Sequence, residues 1–300
     1  MTPELKVKRI IFATDFLQSS RLALDYAVAF ARHFKATIVM LHAVELPYTA
    51  REAETATRRP SISRRQLMDR LEAVAAGVRC RGIVVETFLE DGVPNEVILR
   101  AIDSHEADLL VMGIQGVHRG ISHLLIGSNA EKILLGATCP TMTVGAHVPT
   151  GVDPNLHFKE ILYFSDFTPE AAEAAPYASF LAKEFNAPID ICQLLPEVAE
   201  TNLRLQHDLA DEYCKAMREV FPRSEADWVK PSFQLERGME FDQIIERAEV
   251  QQAGLIVLGV RTPSHLGRHL HTSFAYQLLS RASCPVLSVR QRGSSPGLTR

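Results

Sequence analysis

Residues 109–144 read LLVMGIQGVHRGISHLLIGSNAEKILLGATCPTMTV. The run opens with four apolar residues, 109–112, as short and unbroken as a strand buried on both faces of a parallel sheet. Gly113 ends that strand, Gly116 follows, and residues 117–126 form a loop of ten closed by Gly127 and Ser128. Ser128 and Glu131 have the spacing of a capping box, in which the hydroxyl takes the N3 amide and the carboxylate returns to the N-cap amide, so a helix is expected to start there. Ile133, Leu134 and Ala137 recur at helical spacing until Cys139-Pro140, and 141–144 reads as a last strand. Glycines at both ends of such a loop let backbone amides approach a ligand with no Cβ between. The helix start behind Gly127 adds free N–H groups and a positive dipole end, which suits a phosphate chain. The same glycines also serve the plain turn that a strand-to-helix crossover needs.

Upstream, 10–13 is an apolar strand and Thr14-Asp15-Phe16 the turn after it; Ser19 or Ser20 is placed to cap the following helix. Residues 37–43 (TIVMLHA) form a second buried strand, 47–65 a long polar loop with a helix cap at Ser63, 67–77 a helix and 83–89 a third strand. Pro94 suits the first turn of a helix ending near His105. Continuous apolar strands alternating with helices argue for an α/β fold with a parallel sheet.

The pattern then restarts. Asp166-Phe167 follows the strand 161–164 as Asp15-Phe16 follows the first, 151 residues earlier, and Phe185-x-Ala187 repeats Phe34-x-Ala36 at the same offset. Gly238 and Gly259 answer Gly92 and Gly113 at 146, and Ala282-Ser283-Cys284-Pro285 answers Ala137-Thr138-Cys139-Pro140 at 145. The same module occurs twice. We assign it to residues 1–146 and 158–290, with a Gly- and Pro-containing linker at 147–157 and a polar tail at 291–300. The copies differ chemically: Thr262 and Thr272-Ser273 stand where the second glycine and the Gly-Ser pair should be, so the second phosphate loop is degenerate.

Composition narrows the function. A net charge of -4 gives no electrostatic footprint for nucleic acid or an anionic membrane. Five cysteines without a Cys-x2-Cys pair indicate neither a disulfide framework nor a zinc site. The start MTPELKVKRI has no apolar leader pattern and no apolar run approaches membrane-spanning length, so a cytoplasmic location is expected. His265, His269 and His271 read as part of the substituted loop, not as metal ligands. Neither a P-loop nor a dinucleotide fingerprint nor a Gly-x-Ser-x-Gly elbow is present.

Gly-x2-Gly, a loop, then Gly-Ser at a helix start and an Ala-x-Cys-Pro-x3-Val strand resembles the ATP-binding signature of universal stress proteins, and the repeat extends the likeness over nearly the whole chain. The loop is one residue longer than the family's usual spacing, and Ala13 stands where proline is frequent. The resemblance implies two tandem modules, each a five-stranded parallel open sheet in the order 3-2-1-4-5 flanked by helices, of the Rossmann-like, adenine nucleotide alpha hydrolase-like type. Its ligands would lie outside the carboxyl ends of the strands where the order reverses.

It further implies ATP, with Mg²⁺ as companion ion, in the first module. There Asp15 meets the adenosine end, the backbone near Ala43 the adenine, and Gly113, Gly116, Gly127, Ser128 and Asn129 the phosphates, with Ala13, Thr14 and Met112 beside them. Asp15 has an equally good structural role, capping its own turn. Family members often dimerise through the last strand, so 141–144 and 286–289 are expected to pair within the chain as a pseudo-dimer, or else between chains. The function implied is that of a cytoplasmic, ATP-binding stress-response module read by protein partners. Slow ATP hydrolysis or phosphotransfer is the enzymatic alternative, ranked below because no general base is evident, and an ATP-independent scaffold is the third reading.

Overall fold

The computed structural model describes residues 5–45, 62–114, 116–117, 125–126, 128–165, 169–195, 215, 232–237, 241–260, 278–279 and 281–290. The first half runs β1 (Arg9–Ala13), α1 (Gln18–Phe34), β2 (Thr37–Val44), α2 (Arg64–Arg79), β3 (Val85–Asp91), α3 (Pro94–Ser104), β4 (Leu109–Gly113), the short strands β5 (Gly116–Val117) and β6 (Leu125–Ile126), α4 (Ser128–Gly136) and β7 (Thr141–Val144). The second runs β8 (Ile161–Ser165), α5 (Pro169–Glu184), β9 (Ile189–Leu195), β10 (Ser232–Arg237), α6 (Phe241–Val250), β11 (Leu255–Val260) and β12 (Val286–Arg290).

Ten of these strands form one sheet, ordered β10-β9-β8-β11-β12-β7-β4-β1-β2-β3. Each half is therefore a parallel sheet in the order 3-2-1-4-5, as the family resemblance implies. The two meet at β12 and β7, which pair antiparallel through Val286 with Thr143, Leu287 with Met142 and Ser288 with Thr141. That pairing protects two strand edges that would otherwise be open templates.

Strands buried on both faces explain the unbroken apolar runs: Ile10 and Ile11 are fully buried and Phe12 nearly so. Residues pointing to one face, such as Ile10, Phe12 and Met40, join α1, α2 and α5 in one apolar cluster. Residues pointing to the other, such as Ile11, Val39 and Leu110, join α3, α4 and α6 in a second. The first cluster crosses the boundary between the halves. Phe30 and Phe34 of α1 meet Phe185 at 5.4 and 5.8 Å between ring centroids, Phe34 stacks on Phe180 at 5.7 Å, and Phe158 meets Phe185 at 4.9 Å. The segment joining the halves is packed as well, with Val148 and Leu156 buried, as is Phe158 just after it.

Local signals decide the helix ends. Ser63 caps α2 in a complete capping box with Gln66, and Pro94 opens α3. Lys35 ends α1 in the left-handed region at φ 55°. Three expectations change. The cap of α1 is Leu17, with no side-chain bond, while Ser19 and Ser20 are buried inside its first turn. Helix α4 opens on Ser128 itself, so this serine lies in the first turn and not ahead of it. The loop at 117–126 has paired feet, Gly116 against Ile126 and Val117 against Leu125, and so begins as a hairpin. The histidine triplet, Cys214, Asp166, Gly127 and the tail at 291–300 lie outside the described residues.

Candidate functional site

In the first half the strand order reverses between β1 and β4. Ala13 and Met112 are register partners there, and Ala13 also pairs with Leu41. The chain leaves β1 into Thr14-Asp15 and leaves β4 through Gly113 towards the hairpin and α4, so both marked turns start from the same edge of the sheet. Ala43 sits near the end of β2 on that edge, paired with Glu90. Met112 is buried, Asp15 and Ser128 are exposed, and Asn129 and Ala43 are half-buried. Among the described residues, no hydrogen bond joins Asp15 to Ser128 or Asn129.

The turn after β1 is held by its own side chains. Asp15 Oδ1 accepts from the Leu17 amide at 2.9 Å and Thr14 Oγ1 accepts from the Phe16 amide at 3.0 Å. Thr14 donates its hydroxyl to Ser20 at 3.3 Å, and Ser20 donates to the Leu17 carbonyl at 2.9 Å. Asp15 thus performs the structural role that the sequence left open, while its carboxylate remains exposed. Phe16 is buried with φ 62°, a conformation a bulky residue adopts only when its surroundings over-determine it. Those surroundings are the His42 ring, 4.6 Å away between centroids, and the Arg70 guanidinium, 4.4 Å from the ring centroid.

Gly113 has a specific reason to be glycine. A Cβ built there would lie 2.3 Å from the Ser19 carbonyl carbon and 2.3 Å from the Ser20 amide nitrogen. The space is filled by the first turn of α1. Glycine at this position therefore lets a helix backbone cross a strand end, whatever else binds nearby.

A cavity of about 220 Å³ lies elsewhere, lined by Tyr26, residues of the linking segment including Asp153 and His157, and Ala253, Gly254, Ser283 and Cys284. Because residues 253–254 and 283–284 precede β11 and β12, it sits at the amino ends of the second half's strands, away from the marked turns. Burial raises the Cys284 thiol from 9.0 to about 12, and burial, with Cys284 and Asp25 adding, raises the Tyr26 hydroxyl from 10.0 to about 12. Both groups stay neutral in the folded chain where an unfolded chain ionises. Their contribution to stability is expected to be full below about pH 9 and lost as pH rises towards 12, by about 2 kcal/mol between about pH 9 and pH 11 from Cys284 alone. Urea unfolding across that range checks this, and Cys284→Ala is expected to flatten the profile.

Sequence reasoning missed His42 and Arg70. The signal for His42 is a lone polar residue in the apolar run TIVMLHA next to the reversal point; for Arg70, an exposed helix position, the sequence holds no signal. Among the described residues no helix is long and apolar enough to cross a membrane, and no cysteine is in a disulfide.

Known proteins place the chain. The family model described as "Universal stress protein family" matches residues 6–145 and again 157–290. A universal stress protein of Methanocaldococcus jannaschii is 29% identical over 139 residues, covering 46% of this chain and 81% of the relative. One from Thermus aquaticus is 32% identical over 142 residues, covering 46% of this chain and 98% of the relative. The crystal structure of a universal stress protein from Archaeoglobus fulgidus superposes with TM-score 0.65 at 19% identity, over 95% of this chain and 98% of its own. Two matches of one family to successive halves, each half built as the same five-strand unit, leave one conclusion: the chain belongs to the universal stress protein family, with two of its modules in tandem.

Proposed function

We propose that the first module binds an adenine nucleotide, ATP with Mg²⁺, in the crevice where its strand order reverses, and that the bound state is read by protein partners in the cytoplasm during stress. The observation that carries this is the pairing of Ala13 with Met112, which starts the Thr14-Asp15 turn and the loop leading to α4 from one strand edge. Parallel α/β sheets bind ligands at such a point. Thr14, Asp15 and Ala43 take the nucleoside. Gly113, Gly116, Gly127, Ser128 and Asn129 take the phosphates, at the start of a nine-residue helix. The second module keeps the sheet and has lost this loop chemistry.

Titration calorimetry with ATP and Mg²⁺ tests the reading. One site per chain is expected, with at least a tenfold loss of affinity in Ser128→Glu. That change puts a carboxylate where phosphates are proposed to sit. Because Ser128 is exposed in a first turn, where acidic residues are favourable, unfolding midpoints should stay unchanged. A specific observation favours a second reading, the ATP-independent scaffold: packing explains Gly113 and turn capping explains Asp15 without a ligand. Absence of heat and of any thermal shift would select it.

A further inference from the structure

The turn proposed to receive the nucleoside is fixed from β2, by a residue outside the set named above. His42 lies on β2 where the β1–β2 ladder ends, with the Thr14 amide bonded to the Leu41 carbonyl at 2.9 Å. One residue on, the His42 Nδ1 lies 2.7 Å from the Thr14 carbonyl oxygen. A carbonyl oxygen only accepts, so Nδ1 carries the proton and donates. The same imidazole packs on Phe16 at 4.6 Å between centroids, with the planes tilted by 46°. Arg70 also covers the Phe16 ring at 4.4 Å and donates to the Phe16 carbonyl at 3.4 Å. Thr14 and Phe16, the neighbours of Asp15 on either side, are thereby tied to β2 and α2. Asp15 between them is exposed, and among the described residues the one hydrogen bond its carboxylate accepts comes from the Leu17 amide.

From this we infer that His42 is a positioning residue of the nucleotide site: it holds the Thr14-Asp15-Phe16 turn in its binding shape before the ligand arrives, resting on the nucleotide reading proposed above. Two features separate this from mere packing. First, the bond goes to the backbone of a proposed site residue and not to a neighbouring strand. Second, the strained φ of Phe16, 62°, needs support from outside the turn, and the ring contact with His42 supplies it. A turn ordered in advance lowers the cost of binding, because its conformational freedom is lost on folding and not on association.

The consequence is a dependence on which ring nitrogen is imitated. Asparagine places its amide N–H near the position of Nδ1, whereas glutamine reaches the position of Nε2. His42→Asn is therefore expected to keep ATP affinity within about twofold, while His42→Gln and His42→Phe lose about tenfold, the usual effect of deleting one such bond. His42→Phe keeps a ring on Phe16 and lacks only the donor, so it serves if the glutamine variant does not fold. Calorimetry with ATP and Mg²⁺ on the four full-length chains reads affinity. Amide hydrogen exchange without ligand reads the turn itself: the Phe16 and Leu17 amides are expected to exchange faster in the glutamine and phenylalanine variants, with Met40 unchanged. Equal affinity in wild type, His42→Gln and His42→Phe would overturn the inference while leaving the nucleotide reading intact. A wild-type chain that binds no adenine nucleotide would overturn that reading, and this inference with it.

Discussion

Replacing Gly113 with alanine is expected to destabilise the chain by about 3 kcal/mol or more, the upper range for overpacking a closed site. The added methyl would lie 2.3 Å from two backbone atoms of Ser19 and Ser20, and backbone cannot swing aside as a flexible side chain can. Relief requires α1 to lift off β4. That would disturb the packing of Ala23 and Ala27, both fully buried, and the start of the turn that carries Asp15. Urea unfolding measures the loss. A variant of wild-type stability with impaired nucleotide binding would mean that this glycine serves the ligand and not the helix. Gly113 substitutions are consequently poor probes of binding, and exposed Ser128 is the better position for such a test.

Asp190→Ala is expected to cost about 3–5 kcal/mol, as is usual when one member of a buried ion pair is removed. Asp190 on β9 is fully buried and accepts from Arg247 Nη2 at 2.7 Å, Arg247 Nε at 3.1 Å and Gln251 Nε2 at 3.1 Å. The Arg247 side chain is only 12% exposed. In the first half the corresponding positions are Val39 and Ala101, both in the buried apolar cluster on the same face. The second module thus carries a charge pair where its twin carries two apolar residues. Asp190→Val with Arg247→Ala, which copies that twin, should recover most of the loss, because apolar packing usually replaces a buried pair at little cost. Urea unfolding of the single and double variants decides it. A loss below about 1 kcal/mol for Asp190→Ala would show the pair to be worth no more than an exposed one.

These two sites also mark where the sequence could and could not be read. Hydrophobic periodicity located the runs 10–13 and 109–112 most plainly, because burial on both faces leaves no polar residue to blur them, and the repeat offsets of 151 and 146 carried the first half's reading into the second. The pairing of the repeated residues themselves was less visible. Phe34 and Phe185, matched only as equivalent positions, meet edge to face at 5.8 Å, because equivalent residues close to a pseudo-two-fold axis are brought together by it. Gly113 stood out as glycine, but sequence spacing cannot distinguish a Cβ excluded by a ligand from one excluded by a neighbouring helix. Ser128 was placed one residue outside its helix, an error within the ordinary uncertainty of helix ends. His42 and Asp190 escaped notice for one reason: each is a polar residue inside an apolar strand, and only the partner across the fold, the Thr14 carbonyl for one and Arg247 for the other, shows what it does.

The most direct test of the central claim, a nucleotide site in the first module, is photolabelling of the full-length chain with an azido-adenine analogue of ATP, followed by mapping of the labelled peptides. The account predicts about one label per chain, suppressed by ATP and confined to peptides containing the Thr14-Asp15 turn or the end of β2 near Ala43. Labelling confined to residues 158–290, or labelling that excess ATP does not suppress, would contradict it.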